Sequence, residues 1–328
     1  MVHEPVLDVC ISVVSGNNPQ MTIDCLHSLV SSLSGDLKVE IHFVDNASPV
    51  DWFESVQKIS PLISVHRNER RKGFGANHNA IMAKVSARYY LLLNDDTYIH
   101  ANCCEELVRT ADRNGTVGFF GAKLFNGDGT IQRSAYRFPS VSLALSEALL
   151  LNRLFGFLEI FDDYRSFGHD RLRTVDFVSG AAILARKEML DEIGLLDEQF
   201  FMYAEETDWC MRGKKTGWLT MFVPSAQLVH YGGQSTVKFA PERSVEFLRS
   251  HARLLTKHSG RGGVFAYKIL NLIKHLPRVI IAHCAQWPAS KRLAETDIVL
   301  WSLGLLNRSG LSEIASTNVP APSSTRPS

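Results

Sequence analysis

The chain has 328 residues, 45% of them hydrophobic and 21% charged, with a formal net charge of +1. That length suffices for a sizeable core, and the composition excludes a disordered or collagen-like chain. The charge balance excludes a protein built mainly to coat nucleic acid, which needs a clustered excess of Lys and Arg. Six cysteines, Cys10, Cys25, Cys103, Cys104, Cys210 and Cys284, form no C-x-x-C pair, as expected of reduced thiols. The N-terminal MVHEPVLDVC lacks the basic-then-apolar order of a secretory leader, and no apolar run reaches about 18 residues. A cytoplasmic protein is therefore expected, with peripheral attachment to the inner membrane left open.

In chain order, apolar β-rich runs alternate with helical windows, the pattern of a mostly parallel sheet flanked by helices. Val9–Val14 reads as a first strand, Gln20–Leu33 as a helix and Val39–Val44 as a second strand. Ile63–His66 is a short strand, Gly73–Ser86 a turn and helix, and Tyr89–Leu93 a buried strand. These strands end in polar clusters, Ser15-Gly16-Asn17, Asp45-Asn46-Ala47-Ser48 and Asn94-Asp95-Asp96, where ligands of open α/β sheets bind. NGDGT, Asn126 to Thr130, lacks the remaining ligands of a calcium loop and reads as a hairpin turn. A second β-rich patch spans Val175–Ala185, and the α/β domain is expected to end near Thr236.

Glu242–His258 and Val264–His283 read as helices of a C-terminal extension over 237–310, and the Pro- and Ser-rich residues 311–328 as a disordered tail. The second helix carries Lys268, Lys274, His275 and Arg278 among large apolar residues. Two readings follow: an interfacial helix attracted to anionic lipid, or a helix packed on the catalytic domain with solvated basic residues.

Four clusters carry chemistry. In LLLNDDT, Leu91 to Thr97, two adjacent carboxylates follow an apolar strand; they suit a divalent cation bridging to phosphate, or a helix cap. In FFMYAEETDW, Phe200 to Trp209, aromatic neighbours would raise the proton affinity of Glu205 or Glu206 and prepare a general base; an acidic first helical turn is the plainer reading. His230 in LVHYGGQST ends a β-rich run and offers either a metal ligand or a structural imidazole. NERRKGFGANHNA, Asn68 to Ala80, brings glycines and cations to a helix entry and suits an anion. Position 78 is His78, so Gly73-Phe74-Gly75 does not complete a dinucleotide fingerprint.

Seven pieces in order over about residues 7 to 236 resemble the inverting glycosyltransferases of family 2. They are VVSGN, VDNAS, N-x-x-x-x-GFGANHN, LLLNDDT, FVSGAAILARKEML, LLDEQFFMYAEETDW and HYGGQST. The resemblance is greatest to bacterial rhamnosyltransferases of O-antigen or cell-wall polysaccharide assembly. It implies a GT-A fold, a mixed sheet flanked by helices. It also implies a dTDP-, UDP- or GDP-sugar donor, a glycan or polyprenyl-linked acceptor, and Mg2+ or Mn2+. Ser15 and Asn17 would line the nucleotide pocket, Asp45 with Asn46 and Ser48 would meet the nucleoside, and Asn68, Gly75 and Asn79 would lie along the donor. Asp96 would bind the metal, Asp95 beside Asn94 would lie nearer the ribose or sugar, and His230 would be a further ligand. Glu206 falls at the base position.

Two departures stand out. The acidic motif is Asn94-Asp95-Asp96 rather than D-x-D, which leaves the roles of its two acids open. The base position carries Glu206 rather than Asp, and Glu205 is an alternative. Two other functions remain: a sugar nucleotidyltransferase, which would need a basic triphosphate loop that Ser15–Gln20 lacks, and a sugar-nucleotide-binding protein without turnover.

Overall fold

The computed structural model describes residues 7–15, 18–48, 53–149, 151, 163–164, 167–232, 240–306, 310 and 312. The first half runs β1 (Leu7–Ser15), α1 (Pro19–Ser32), β2 (Val39–Asp45), α2 (Phe53–Gln57), β3 (Ile63–Arg67), α3 (Phe74–Met82), β4 (Ala87–Asn94), β5 (Thr97–Ile99), α4 (Cys103–Arg113) and β6 (Val117–Phe125). There follow β7 (Ile131–Gln132), β8 (Ala135–Tyr136), α5 (Val141–Ala148), β9 (Arg173–Val175), β10 (Phe177–Val178), β11 (Ala182–Arg186) and α6 (Lys187–Ile193). The last described elements are α7 (Glu205–Lys215), β12 (Leu219–His230), α8 (Ala240–Cys284) and α9 (Ala289–Leu303).

The main sheet has the order β3-β2-β1-β4-β11-β6-β12-β5. β3, β2, β1 and β4 are parallel, while β11 is inserted antiparallel between β4 and β6, which makes the sheet mixed. Successive side chains of a strand serve opposite faces. Val9, Ile11, Val13, Leu91 and Leu93 thus join the core under α1 and α4, and Cys10, Tyr90 and Leu92 join the core under α3, α6 and α7. Burial on both faces explains why β1 and β4 are near-continuous apolar runs. α1 starts where the Asn18 side chain accepts from Met21 N and Pro19 takes the first helical position. NGDGT forms the expected turn between β6 and β7, with Asn126 N donating to Thr130 O at 2.8 Å.

Gly260, with φ of 71°, breaks α8 into two helices, matching the two expected in the C-terminal region. The first half is bonded to the loop before α7: Ser250 Oγ donates to Met202 O at 2.8 Å and Arg243 Nε to Tyr203 Oη at 2.9 Å. In the second half the basic residues are paired with carboxylates of neighbouring elements, a packing that neither sequence reading included. Lys274 pairs with Glu147 of α5, and His275 and Arg278 share Glu295 of α9. No described helix is long and apolar enough to cross a membrane.

Candidate active site

The parallel register sets four polar strand ends side by side. Ser15 of β1 is opposite Asp45 of β2, Asp45 is opposite Arg67 of β3, and Val14 of β1 is opposite Asn94 of β4. β2 and β4 lie on either side of β1, so the chain reverses its direction of winding at the β1/β4 boundary, and the carboxyl edge there is the natural crevice.

At that edge Asp95 and Asp96 are both buried. Asp95 Oδ2 accepts from Thr22 Oγ1 at 2.9 Å, and the same hydroxyl lies 3.3 Å from Ser15 Oγ, so the first turn of α1 holds Asp95 to the end of β1. Sequence reasoning missed Thr22; its only signal was a hydroxyl in the first turn after a polar strand end. Asp96 Oδ1 is buried without a hydrogen-bond partner and lies 3.2 Å from His230 Nε2. Tyr231 N donates to Asp96 O at 2.9 Å, and β5 pairs with β12 through Thr97 and His230, so backbone pairing brings acid and imidazole together.

His230 is oriented by Gln132, another residue the sequence did not single out. Nδ1 of His230 is 2.6 Å from Gln132 Oε1. The Gln132 amide nitrogen faces two acceptors, Asn126 Oδ1 at 2.8 Å and His230 O at 3.1 Å, which fixes which end of the amide meets the ring. In the neutral imidazole the proton therefore sits on Nδ1, and Nε2 presents a lone pair that meets Asn94 Nδ2 at 3.3 Å. An unbonded buried carboxylate oxygen beside an imidazole lone pair needs a proton or a cation between them. Asp96 and His230 thus fit a divalent cation as a minimal pair of ligands. Among the described residues no group of three or more His, Cys, Asp or Glu could hold a metal, so the remaining ligands would come from phosphate and water, as is common for Mg2+.

The other side of the edge is built on Asp45. Its Oδ1 accepts from Ser48 N at 2.8 Å and its Oδ2 lies 3.3 Å from Arg67 Nε. Asn46 Oδ1 accepts from Lys72 N at 2.9 Å and from Asn68 Nδ2 at 3.1 Å, and Asn68 also donates to Asn77 Oδ1 at 2.6 Å. This amide network shapes the entry to α3. Asn17 lies outside the described residues.

Gly75 and Asn79, expected along the donor, pack against the loop before α7. A Cβ on Gly75 would come within 3.1 Å of Leu196 Cβ, and Asn79 binds the backbone of Leu196 in both directions, at 2.8 and 3.1 Å. The reason is close packing: at neighbouring Gly73 a Cβ would sit 2.7 Å from Phe201 O.

That same loop delivers the acidic cluster. Tyr203 and Ala204 take left-handed backbone, with φ of 70° and 67°, and turn the chain into α7. Glu205 is buried, with Oε2 lacking a hydrogen-bond partner, and burial with the nearby charges of Glu206 and Glu246 pushes its carboxyl well above the ordinary range. Glu206 keeps partial access to solvent, and its proton affinity is also raised by desolvation. Its Cβ and Cγ pass 3.8 Å from the position of a Cβ on Gly180, and Ala181 O accepts from Asn94 N at 3.0 Å. The Glu206 stem thus packs beside the segment that joins the end of β4.

Asp208 has a different office. It is fully buried and ringed by Lys257 at 2.8 Å, His258 at 2.7 Å and Arg212 at 2.9 Å, which ties α7 to α8.

A mixed sheet of this order, with an acid pair at the end of β4 and a helix-borne carboxylate opposite, defines a glycosyltransferase of the GT-A type. More particularly, residues 10–194 match the model described as Glycosyl transferase family 2, and the chain belongs to that family. It is 24% identical over 245 residues to the N-acetylglucosaminyl-diphospho-decaprenol L-rhamnosyltransferase of Mycobacterium tuberculosis, covering 70% of this chain and 78% of the relative. A 55-residue stretch is 33% identical to the dTDP-rhamnosyl transferase RfbF of Shigella flexneri, covering 17% of this chain and 19% of RfbF. Among solved structures, the mannosyltransferase PcManGT of Pyrobaculum calidifontis in complex with GDP-Man and Mn2+ superposes with a TM-score of 0.54 at 14% identity, covering 90% of this chain and 81% of that one. GalNAc-T7 with UDP, GalNAc and Mn2+ gives 0.58 at 14% identity; 95% of this chain is covered, and it spans 57% of that protein.

Proposed function

We propose that this glycosyltransferase moves a sugar, with rhamnose the first candidate, from a nucleoside-diphosphate donor to a hydroxyl of a glycan or polyprenyl-linked acceptor, with inversion, in cell-envelope polysaccharide synthesis. The observation that carries the reading is the buried, unbonded Asp96 Oδ1, 3.2 Å from His230 Nε2 at the sheet's switch point. The mycobacterial and Shigella relatives support rhamnose and a lipid-linked acceptor through the substrates in their names.

In this reading Asp45, Ser48 and Arg67 hold the nucleoside, while Asp95, fixed by Thr22, lies along the ribose and sugar. Asp96 and His230 would hold Mg2+ or Mn2+, which when bound would act as a Lewis acid on the diphosphate oxygens. Glu206 takes the proton of the acceptor hydroxyl as its oxygen attacks the anomeric carbon. The bond from that carbon to the diphosphate breaks on the opposite face, and the configuration inverts. A carboxylate of raised proton affinity and partial solvent access suits a general base. Glu205, the alternative, is turned to the interior and is read as a neutral neighbour. A lipid-linked acceptor would place the enzyme at the inner-membrane face.

The test is release of nucleoside diphosphate from dTDP-, UDP- and GDP-sugars with and without Mg2+ or Mn2+, with NMR of the product's anomeric configuration. Retention of configuration rejects the mechanism. Turnover unaffected by chelation rejects the metal.

A further inference from the structure

The second half of α8 is patterned inside out. Between residues 264 and 282 the exposed residues are Phe265, Ile269, Ile273, Leu276, Pro277, Ile280 and Ile281, all apolar, with the partly exposed side chain of the charged Arg278 beside them. At 3.6 residues per turn, five of these, all but Pro277 and Ile281, fall within about 80° of arc and form a stripe about 22 Å long. The charged groups of the same stretch are engaged by protein partners, Arg278 while still partly exposed. Lys274 Nζ lies 2.7 Å from Glu147 Oε2, His275 and Arg278 meet Glu295 at 2.6 and 2.7 Å, and Lys268 Nζ sits 4.9 Å from the centre of the Trp301 ring. A helix at a water boundary does the reverse, burying its apolar stripe and exposing its charges.

The surroundings say what covers this face. Half-exposed large side chains offer on the order of 100 Å² each, so the stripe alone falls short of the roughly 800 Å² per partner of a stable protein interface and reaches about that area only with α5, which leaves the groups at its ends to decide the occupant. Exposed Arg261 precedes it, exposed Lys291 follows it, and Trp287 lies 6.0 Å from Arg278 near its end. Cations and an indole at the ends of an apolar stripe match the boundary between lipid headgroups and acyl chains. α5, tied to α8 through Glu147, adds exposed Val141, Leu145 and Leu149 at four-residue spacing.

We infer that the α8 stripe docks the enzyme on an anionic lipid bilayer, lying in the plane of the interface with Phe265, Ile273 and Ile280 among the acyl chains. The inference deepens the lipid-linked-acceptor reading and rests on it for its purpose. Membrane affinity comes from the apolar stripe, with the flanking cations adding a smaller, salt-sensitive part.

The experiment is flotation of the full chain with vesicles of phosphatidylcholine and phosphatidylglycerol, at low and high salt. The wild type is expected to float and to keep most of its binding in high salt. Phe265→Ser/Ile273→Ser/Ile280→Ser is expected to partition about a hundredfold or more weakly, since three large apolar side chains no longer leave water. Its donor binding and its transfer to a water-soluble acceptor stay unchanged. If the triple variant fails to fold, Phe265→Ser alone must still weaken partitioning. Equal partitioning of variant and wild type overturns the inference. So does a wild type that stays in solution as a dimer that the variant dissolves, or as a monomer whose melting temperature falls in the variant. A wild type that floats but neither binds nor hydrolyses donor counts against the glycosyltransferase mechanism and leaves the docking result standing.

Discussion

Gln132 Oε1 accepts the Nδ1 proton of His230 at 2.6 Å, and this bond decides what the other ring nitrogen can be. With Nδ1 protonated, Nε2 faces Asp96 Oδ1 as a lone pair, and the two acceptors are suited to share a cation. Gln132→Leu is expected to weaken Mn2+ binding in the presence of nucleoside diphosphate by about 10–100-fold, and His230→Ala by at least as much. Saturating metal restores most of the transfer in Gln132→Leu. Calorimetric titration checks this; unchanged metal affinity with a lowered melting temperature makes the pair structural.

Asp96→Asn is expected to abolish transfer while the metal-free protein melts no lower than wild type. The substitution removes a buried, unbonded carboxylate oxygen, and an amide there can donate to His230 Nε2. Scanning calorimetry with chelator, set beside turnover, separates the two effects. Near-normal activity would remove Asp96 from the mechanism.

Glu206→Gln is expected to lower turnover by about 10²–10⁴-fold with donor and metal binding retained, because it keeps the side-chain volume and removes only the proton acceptor. If Glu206 merely begins α7, the loss is one of stability, about 0.3–1 kcal/mol, with turnover intact. Rates beside donor titrations decide.

Glu205 gives a pH signature. Burial raises its folded-state proton affinity above that of the unfolded chain, so its contribution to stability is complete below the ordinary carboxyl value of about 4.5 and is lost as pH rises toward the raised value. Glu205→Gln escapes that loss. The melting temperature of the variant relative to wild type should therefore climb across pH 5 to about 8, measured by calorimetry, with no matching change in turnover. A flat difference shows that Glu205 ionises freely in the folded protein.

Asp208 has the opposite sign. Burial pushes its carboxyl up, but hydrogen bonds from Lys257, His258 and Arg212 outweigh it and hold the group below its ordinary value. Its stabilisation is present above the unfolded value of about 3.8 and fades as pH falls through the lowered one. Asp208→Asn removes the buried charge that Arg212, Lys257 and His258 share. Lys257 keeps Asp197 at 2.7 Å and Arg212 keeps the Leu195 carbonyl at 2.6 Å, so the cost in urea unfolding near neutral pH should be about 3 kcal/mol, the low end for a broken buried pair. A loss under about 1 kcal/mol would mean that the cations relax to solvent.

The local order of the chain was legible in its residues. Apolar runs of strand length gave β1, β2, β3 and β4, turn chemistry gave the Asn126–Thr130 hairpin, and acids after an apolar strand marked Asp95 and Asp96, because these features depend on neighbours in sequence. The packing of the GFGANHN segment was not legible: Gly75 and Asn79 have a motif's identity, but the protein atoms they meet are those of Leu196, more than a hundred residues away. Thr22 carried only a weak sequence signal and Gln132 none, since their partners Asp95 and His230 are distant in the chain and arrive through tertiary packing. Nor does sequence separate Glu205 from Glu206: adjacent residues in a first helical turn point about 100° apart, and only the packing of α8 decides which is buried. The same holds for α8 itself. Its residues alone specify an amphipathic helix, but the face that touches protein is set by Glu147 and Glu295, carboxylates on other elements that draw the basic residues inward and leave the apolar ones outside.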